Sequence, residues 1–532
     1  ANMEMECVEA SLRGWPQAPF QRKIETDANY HRMLQFGMKA ENLAAVRLGI
    51  ASHNLFSVAY GLALATRAAA LDRVQFEMLE GMANHQRRAL FELSKNVLLY
   101  APACKQEDFI NAIGYLVRRL DENTGAENFL RYAFRLTVDS PEWQKLAEGF
   151  GESFGKIESL PVGPRRTQDR GQESKDERPE PDFSGPRLWS FSSSLFRNEP
   201  DTDWSLPQNG RWAEGILERW RTRCHAQAAL VPLVVAGEEI AEEREQRESL
   251  DPSRPGVVVA RYHQANSADV EQAVAFAKND AEGWRKLSPS ERTAILDRVA
   301  ETIAARRGDL MGAMLAEGGK LFTESDPEVS EAIDFCRFYA RSAEEFYANP
   351  GLAARARGVV VVVSPWNFPL AIPCGGIAAA LAAGNTVIFK PASDTVLIAY
   401  ELCRCFWDAG VSKSALQFLP CSGGSVGQQL VTNDAVDAVI LTGGTETALK
   451  MLAAKPTMKL FAETGGKNAT IVTALADRDL AIKNVLHSAF SHSGQKCSAT
   501  SLLVLESEVY HDAKFRELLV DAVESMRVGS AW

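Results

Sequence analysis

A chain of 532 residues, 46% hydrophobic and 24% charged, is ordinary globular sequence, enough for about three to four compact domains. Its net charge of −11 argues against a nucleic-acid or anionic-membrane partner, since both require a concentrated positive surface. Nine cysteines without disulfide or zinc spacing fit a reducing compartment, and no apolar run is long enough to span a bilayer.

The opening Ala1-Asn2-Met3-Glu4-Met5-Glu6 is acidic and is not a signal peptide. Both it and the closing Gly529-Ser530-Ala531-Trp532 read as cuts through a longer protein. Short strands are predicted at residues 46–52, 75–79 and 97–100, separated by amphipathic helices. Three βα units in a row predict a parallel sheet or barrel, with His53-Asn54, Glu80 and Tyr100 at the strand ends where function collects. Tyr115, Arg118, Arg119 and Glu122 fall on one helix face. Two adjacent arginines there can clamp a small carboxylate, or the face can be a solvated, salt-bridged one.

Residues 163–187 are almost free of apolar side chains and read as a solvated linker or mobile loop. A helix is predicted near 210–229. From 230 the pattern is α/β again: helices over 268–346, then strands at 358–363, 386–390 and 438–441, the last two followed by helices at 399–409 and 445–454. Cys403-Arg404-Cys405 is too tight for a metal pair and reads as helix.

Four segments carry chemistry or a cofactor. In Ser491-His492-Ser493-Gly494-Gln495-Lys496-Cys497-Ser498, the polar, glycine-containing context is poor for a core cysteine and suits a nucleophile. In Ser364-Pro365-Trp366-Asn367-Phe368-Pro369, the Asn367 amide and the Cys497 N–H can form an oxyanion hole, one such donor being worth about 3 kcal/mol. Glu463, expected just after a strand at 458–461 and before Gly465-Gly466, is either a water-activating base or an exposed loop carboxylate. Gly443-Gly444-Thr445, between a strand and a helix, offers orphan N–H groups to a pyrophosphate without forming the six-position dinucleotide fingerprint.

Together these segments resemble the aldehyde dehydrogenase superfamily over about residues 230–532. The resemblance implies an α/β architecture: a Rossmann-like NAD-binding region at 230–462, followed by the start of a catalytic domain at 463–532. It implies NAD contacts from Ser364, from Lys390 in Lys390-Pro391-Ala392-Ser393, and from Ser393, Gly443, Gly444 and Thr445. Many members have Glu where this chain has Ser393, which leaves NAD against NADP open on the residues; the branch it most resembles uses NAD with Ser. Asp334-Phe335-Cys336-Arg337-Phe338-Tyr339 and Cys497-Ser498 resemble that branch, the Δ1-pyrroline-5-carboxylate dehydrogenases, in which Ser498 would hold the carboxylate of glutamate γ-semialdehyde.

The run from Tyr115 to Asn123, with Tyr100-Ala101-Pro102, resembles the last barrel helix of flavin-dependent proline dehydrogenase. That implies the C-terminal half of a (β/α)8 barrel at 1–150 and a linker with connecting helices at 151–229. It places Tyr100, Tyr115, Arg118, Arg119 and Glu122 on proline, and Arg22, Lys23, Ser52, His53 and Asn54 on FAD. For His53 a structural strand-end role stays open. Asn2-Met3 departs from the family's usual Tyr-Trp, and strands one to five are missing, as is the catalytic sequence that follows Cys497. The chain as given is therefore expected to be incomplete at both sites.

Joined through Asn198-Glu199-Pro200-Asp201-Thr202-Asp203, the two halves resemble the bifunctional proline utilization A family. The implied sequence is oxidation of L-proline to pyrroline-5-carboxylate, hydrolysis to the semialdehyde, and oxidation of that to glutamate. The same resemblance implies a quinone as electron acceptor, a homo-oligomer, a cytoplasmic location with peripheral association at the inner membrane, and a tunnel for the intermediate. Two alternatives stay open: a monofunctional aldehyde dehydrogenase with a non-catalytic N-terminal module, and a non-enzymatic DNA-binding regulator.

Overall fold

A computed structural model describes residues 7, 10–11, 15, 20, 22–101, 103–105, 109, 112–117, 128–133, 136–161 and 196–532. The predicted linker at 163–187 lies outside them. The chain divides into two compact units, 1–178 and 179–532.

In the first unit β1 (Leu48–Ala51), β2 (Val74–Leu79) and β3 (Val97–Tyr100) form a parallel sheet in that order, on the three predicted strands. Ala51 stands opposite Glu77 and Leu79 opposite Tyr100. Strict alternation buries Val74, Phe76 and Met78 and leaves Gln75, Glu77 and Leu79 on the other, half-covered face. The buried face packs on helix Leu55–Arg67, which comes close because Gly61 has no side chain; a Cβ there would meet Ile50 Cδ1 at 2.8 Å.

His31 ties three helices of this unit together. Its Nδ1 is 2.8 Å from Ser153 Oγ and its Nε2 is 3.1 Å from Ser57 Oγ. The Ser153 hydroxyl already donates to Phe150 O at 2.7 Å. It therefore accepts from His31 Nδ1–H, and Nε2 accepts from Ser57. Burial favours this neutral ring and lowers its pKa.

The second unit carries twelve strands: β4 (Ala229–Val231), β5 (Leu233–Val235), β6 (Glu238–Ile240), β7 (Gln246–Leu250), β8 (Val258–His263), β9 (Val359–Val363), β10 (Thr386–Lys390), β11 (Leu416–Phe418), β12 (Ala438–Gly443), β13 (Leu460–Thr464), β14 (Asn468–Val472) and β15 (Thr500–Leu505). Seven of them form a sheet ordered β13-β12-β9-β10-β11-β5-β6. It is parallel from β13 to β11 and antiparallel beyond. The five valines of β9 are all buried, as expected for a parallel strand covered on both faces. β4, β8 and β7 make a second sheet, and β14 pairs with β15 over a small core that includes Ile482 and Phe515.

The predicted helix at 210–229 is Pro207–Arg221, and its Ile216 and Trp220 are buried in the large core of this unit. Ahead of it, the junction segment is held down by carboxylates of helix Phe322–Ala348. Asp334 accepts from Asn198 Nδ2 and Glu199 N, both at 2.7 Å, and Asp326 accepts from Thr202 N and Oγ1, both at 2.6 Å. Among the described residues no helix is long and apolar enough to cross a membrane.

Candidate functional site

Parallel strands put their useful loops at their C-terminal ends, and the second unit follows that rule. β9 runs into Ser364, which is buried and whose N–H donates to Lys390 O at 3.3 Å, so the loops after β9 and β10 leave the sheet side by side. Lys390 is buried at the end of β10, and burial lowers its pKa. Its ammonium donates to Pro391 O at 3.1 Å, one of three available donors. Ser393 is exposed.

Next to Lys390 lies a turn that the sequence reading passed over. Ser422-Gly423-Gly424 joins β11 to helix Ser425–Thr432, and a Cβ at Gly427 would sit 2.7 Å from Ser422 O and 3.6 Å from Lys390 Cε. Only glycine lets the helix start this close. The strand, glycine-rich turn and helix start were visible as SGGxxG, and their spacing was the available signal. Together with the partly engaged Lys390, this side-chain-free cradle fits a dinucleotide.

Gly444 is the N-cap of helix Thr445–Ala454, as predicted. Glu463 is not past its strand, as expected, but inside β13, opposite Thr442, with Thr464 opposite Gly443. The register thus sets the exposed Glu463 beside the Gly443-Gly444 turn.

Cys497 follows helix Arg478–Phe490 through a tight turn in which His492, Ser493 and Gly494 all have positive φ, at 52°, 53° and 70°. Two left-handed non-glycine residues in a row are uncommon and are held by neighbours. His492 N donates to Glu324 Oε1 at 2.7 Å, and its ring lies 4.8 Å from that of Phe368. Burial and the nearby Lys320 and Lys496 push the His492 imidazole down to about 3, so it is neutral. Asn468 Nδ2 donates to Cys497 O at 2.7 Å and to Ala499 O at 3.1 Å.

Asn367 meets this loop directly: its Nδ2 donates to Gln495 O at 2.7 Å. A side-chain amide has two N–H donors, so one is engaged in holding the loop and the second remains for an oxyanion. The Asn367 carbonyl accepts from Lys320 Nζ at 3.0 Å. Lys320 pairs with buried Glu328, which accepts from Leu370 N at 2.8 Å and Ala371 N at 3.1 Å at the start of helix Ala371–Ala382. The structure therefore brings Asn367 to the loop of Cys497 and Ser498, both exposed. Glu324, Glu328, Lys320 and Asn468, which hold this arrangement, gave no sequence signal of their own.

In the first unit Tyr100 ends β3, exposed, with the Glu77 carboxylate pushing its phenol up. Tyr115 is half-buried in the helical stretch 112–117, while Arg118, Arg119 and Glu122 lie outside the described residues. Lys23 pairs with Asp27, and Arg22 precedes helix Lys23–Gly37. Ser52 Oγ accepts from Asn54 N at 3.0 Å, and Asn54 Oδ1 accepts from Phe56 N at 3.0 Å as the N-cap of helix Leu55–Arg67. His53 Nε2 accepts from Leu79 N at 2.9 Å, which puts the ring proton on Nδ1. That atom is buried and has no partner among the described residues. A donor left open at a strand end fits an acceptor edge such as a flavin's.

Residues 240–532 match the model of the aldehyde dehydrogenase family, and residues 1–132 match that of proline dehydrogenase. The bifunctional protein PutA of Klebsiella aerogenes is 32% identical over 94% of this chain, which covers 37% of that relative. The crystal structure of proline utilization A from Bdellovibrio bacteriovorus superposes with a TM-score of 0.83 and 29% identity over 99% of this chain and 53% of that one. A Thermus 1-pyrroline-5-carboxylate dehydrogenase with bound NAD gives a TM-score of 0.60 and 33% identity, over 63% of this chain and 68% of that one. The chain thus spans well under half the length of the bifunctional relative and about half that of the solved one.

Proposed function

The chain belongs to the aldehyde dehydrogenase family, and from that premise we propose that its second unit serves oxidation of glutamate γ-semialdehyde to glutamate while its first serves oxidation of L-proline. The observation that carries the reading is the Asn367 Nδ2 hydrogen bond to Gln495 O, which sets an oxyanion donor against the nucleophile's loop.

In this reading the Cys497 thiolate adds to the aldehyde carbon while Asn367 and the Cys497 N–H hold the oxygen. Ser498 holds the substrate carboxylate. Once the adduct is a thioester, Glu463 takes a proton from water, and the hydroxide releases the acid and frees the thiol. Ser364, Lys390, Ser393, Gly443, Gly444 and Thr445 hold NAD, and the turn at Ser422–Gly424 joins them. In the first unit Arg118 and Arg119 hold the proline carboxylate, Tyr100, Tyr115 and Glu122 complete that pocket, and Arg22, Lys23, Ser52, His53 and Asn54 hold FAD. When bound, NAD supplies the hydride acceptor for the aldehyde and FAD the two-electron acceptor for proline. On the same resemblance, the protein is a cytoplasmic homo-oligomer that meets the inner membrane peripherally, delivers electrons to a quinone and passes the intermediate through a tunnel.

In the longest form of the protein, Cys497→Ala abolishes semialdehyde oxidation and spares proline oxidation; equal loss of both contradicts the assignment. A lag in NADH formation from proline matching that of two separate enzymes counts against the tunnel.

A further inference from the structure

We propose that the turn Glu317-Gly318-Gly319-Lys320 is a two-sided brace that positions the cofactor loop after β10 and the oxyanion loop after β9 from one rigid point. The turn ends helix Arg307–Gly318, and Gly319 makes it possible with φ +65°. A Cβ there would also stand 3.0 Å from Pro252 Cγ.

Glu317 faces one way. Its carboxylate is buried and accepts from Leu397 N at 2.9 Å, Ile398 N at 3.0 Å and Ser249 Oγ at 2.7 Å. Those amides open helix Val396–Asp408, which begins just past Lys390-Pro391-Ala392-Ser393. The two carboxyl oxygens there satisfy orphan N–H groups at the helix start, and so fix where the loop must stop. Lys320 faces the other way, donating to Asn367 O at 3.0 Å and pairing with Glu328, which holds the Leu370 and Ala371 amides. Glu317 reaches the cofactor loop through a helix start, and Lys320 reaches the site through the Asn367 backbone carbonyl, through Glu328 and over the Phe368 ring, so both are positioning residues. Their separation along one turn sets the spacing between the groups assigned to NAD and the oxyanion donor. The inference rests on the reading of Lys390 and Ser393 as cofactor contacts.

The test compares the 532-residue chain with Glu317→Ala, Glu317→Gln, Lys320→Met and Lys320→Arg. Three quantities are read: amide exchange by mass spectrometry, NAD affinity by titration calorimetry, and iodoacetamide alkylation of the Cys497 peptide. Glu317→Ala should speed exchange at Leu397 and Ile398 alone and weaken NAD by about tenfold, with Gln restoring affinity to within about threefold. Lys320→Met should speed exchange at Leu370 and Ala371, leave NAD affinity unchanged and accelerate Cys497 alkylation, with Arg restoring the wild-type rate. Folded Glu317→Ala that binds NAD as tightly as wild type overturns the brace. So does loosening of both loops by either substitution, which signals general destabilisation. A wild-type chain that binds no NAD while the split exchange pattern holds keeps the brace and sinks the cofactor reading instead.

Discussion

Asn367→Ala tests the site most directly, because the proposed reading gives one amide two separable tasks. Its first N–H holds Gln495 O at 2.7 Å on an exposed part of the loop, a bond worth about 0.5–1.5 kcal/mol. Its second N–H is the donor proposed for the oxyanion, a role worth about 3 kcal/mol in the transition state. At about 1.4 kcal/mol per decade, the second alone lowers kcat about 10²-fold. Loss of the tether two residues before Cys497 adds up to about another factor of ten by misplacing the thiol. The expected fall in kcat for semialdehyde oxidation is therefore about 10²–10³-fold. Affinity for NAD should not change, since the contacts proposed for Lys390 and Ser393 are untouched. Asn367→Asp keeps the shape but sets a carboxylate oxygen against Gln495 O and against the developing oxyanion, so its loss should be at least as large. Stopped-flow NADH formation at saturating NAD, on the longest form of the protein, gives kcat, and calorimetry gives the NAD affinity. A fall of less than about tenfold for Asn367→Ala would show that the oxyanion is held elsewhere.

Asp326→Ala removes a fully buried carboxylate that pairs with Arg307 at 2.7 Å and holds Thr202; about 3–5 kcal/mol should be lost in urea unfolding, and a loss under about 1 kcal/mol would contradict the pairing. Gly312→Ala drives a Cβ into the Trp220 indole and should cost about 1–3 kcal/mol, seen as a lowered melting temperature that Trp220→Leu partly restores. The folded-state pKa of His31 is depressed by burial, so its contribution to stability is present above the unfolded value of about 6.5 and is lost as pH falls through the lower folded value. Urea midpoints of the first unit should fall as the pH drops below about 6.5, and His31→Gln should flatten that slope; an unchanged slope would place the titration elsewhere. His53→Phe removes the open Nδ1 donor and should reduce flavin retained through purification of the longest form, whereas unaltered retention would assign His53 a purely structural role.

The parts of this molecule that announce themselves in sequence are those where one residue type answers one local demand. The β2 strand alternates because it has a wet face and a dry one, β9 is all valine because it has two dry faces, and Gly443-Gly444 precedes a helix that starts where expected. Cys497 stands out because its polar, glycine-containing context suits no core, and Asn367 because the Trp, Phe and prolines around a turn asparagine mark a shaped pocket. The strand β13 was placed too early because residues 460–464 are largely exposed and carry no alternation to fix the boundary. In the β4–β8 region, β6 and β7 are short and charged, so little apolar marks them as strands, whereas β5 and β8 are apolar and buried and their signal was there to be read.

What stayed illegible was the role of charge. Carboxylates along a helix ordinarily face solvent, yet of Glu324, Asp326, Glu328 and Asp334 on helix Phe322–Ala348 the middle two are buried and all four accept backbone N–H groups from other segments. A carboxylate is favoured there because helix starts and irregular loops leave N–H groups without intrahelical partners, and an unpaired buried N–H costs more than a paired carboxylate. The acceptors and donors come from residues far apart in the chain, so no window of sequence contains both halves of the reason. The consequence is that one helix grips the loop leading to Cys497 through Glu324, the loop of Asn367 through Glu328 and the junction segment through Asp326 and Asp334. Its amphipathic pattern could place it against the core, but only the fold shows that its polar side is an attachment surface for the loops that carry the chemistry.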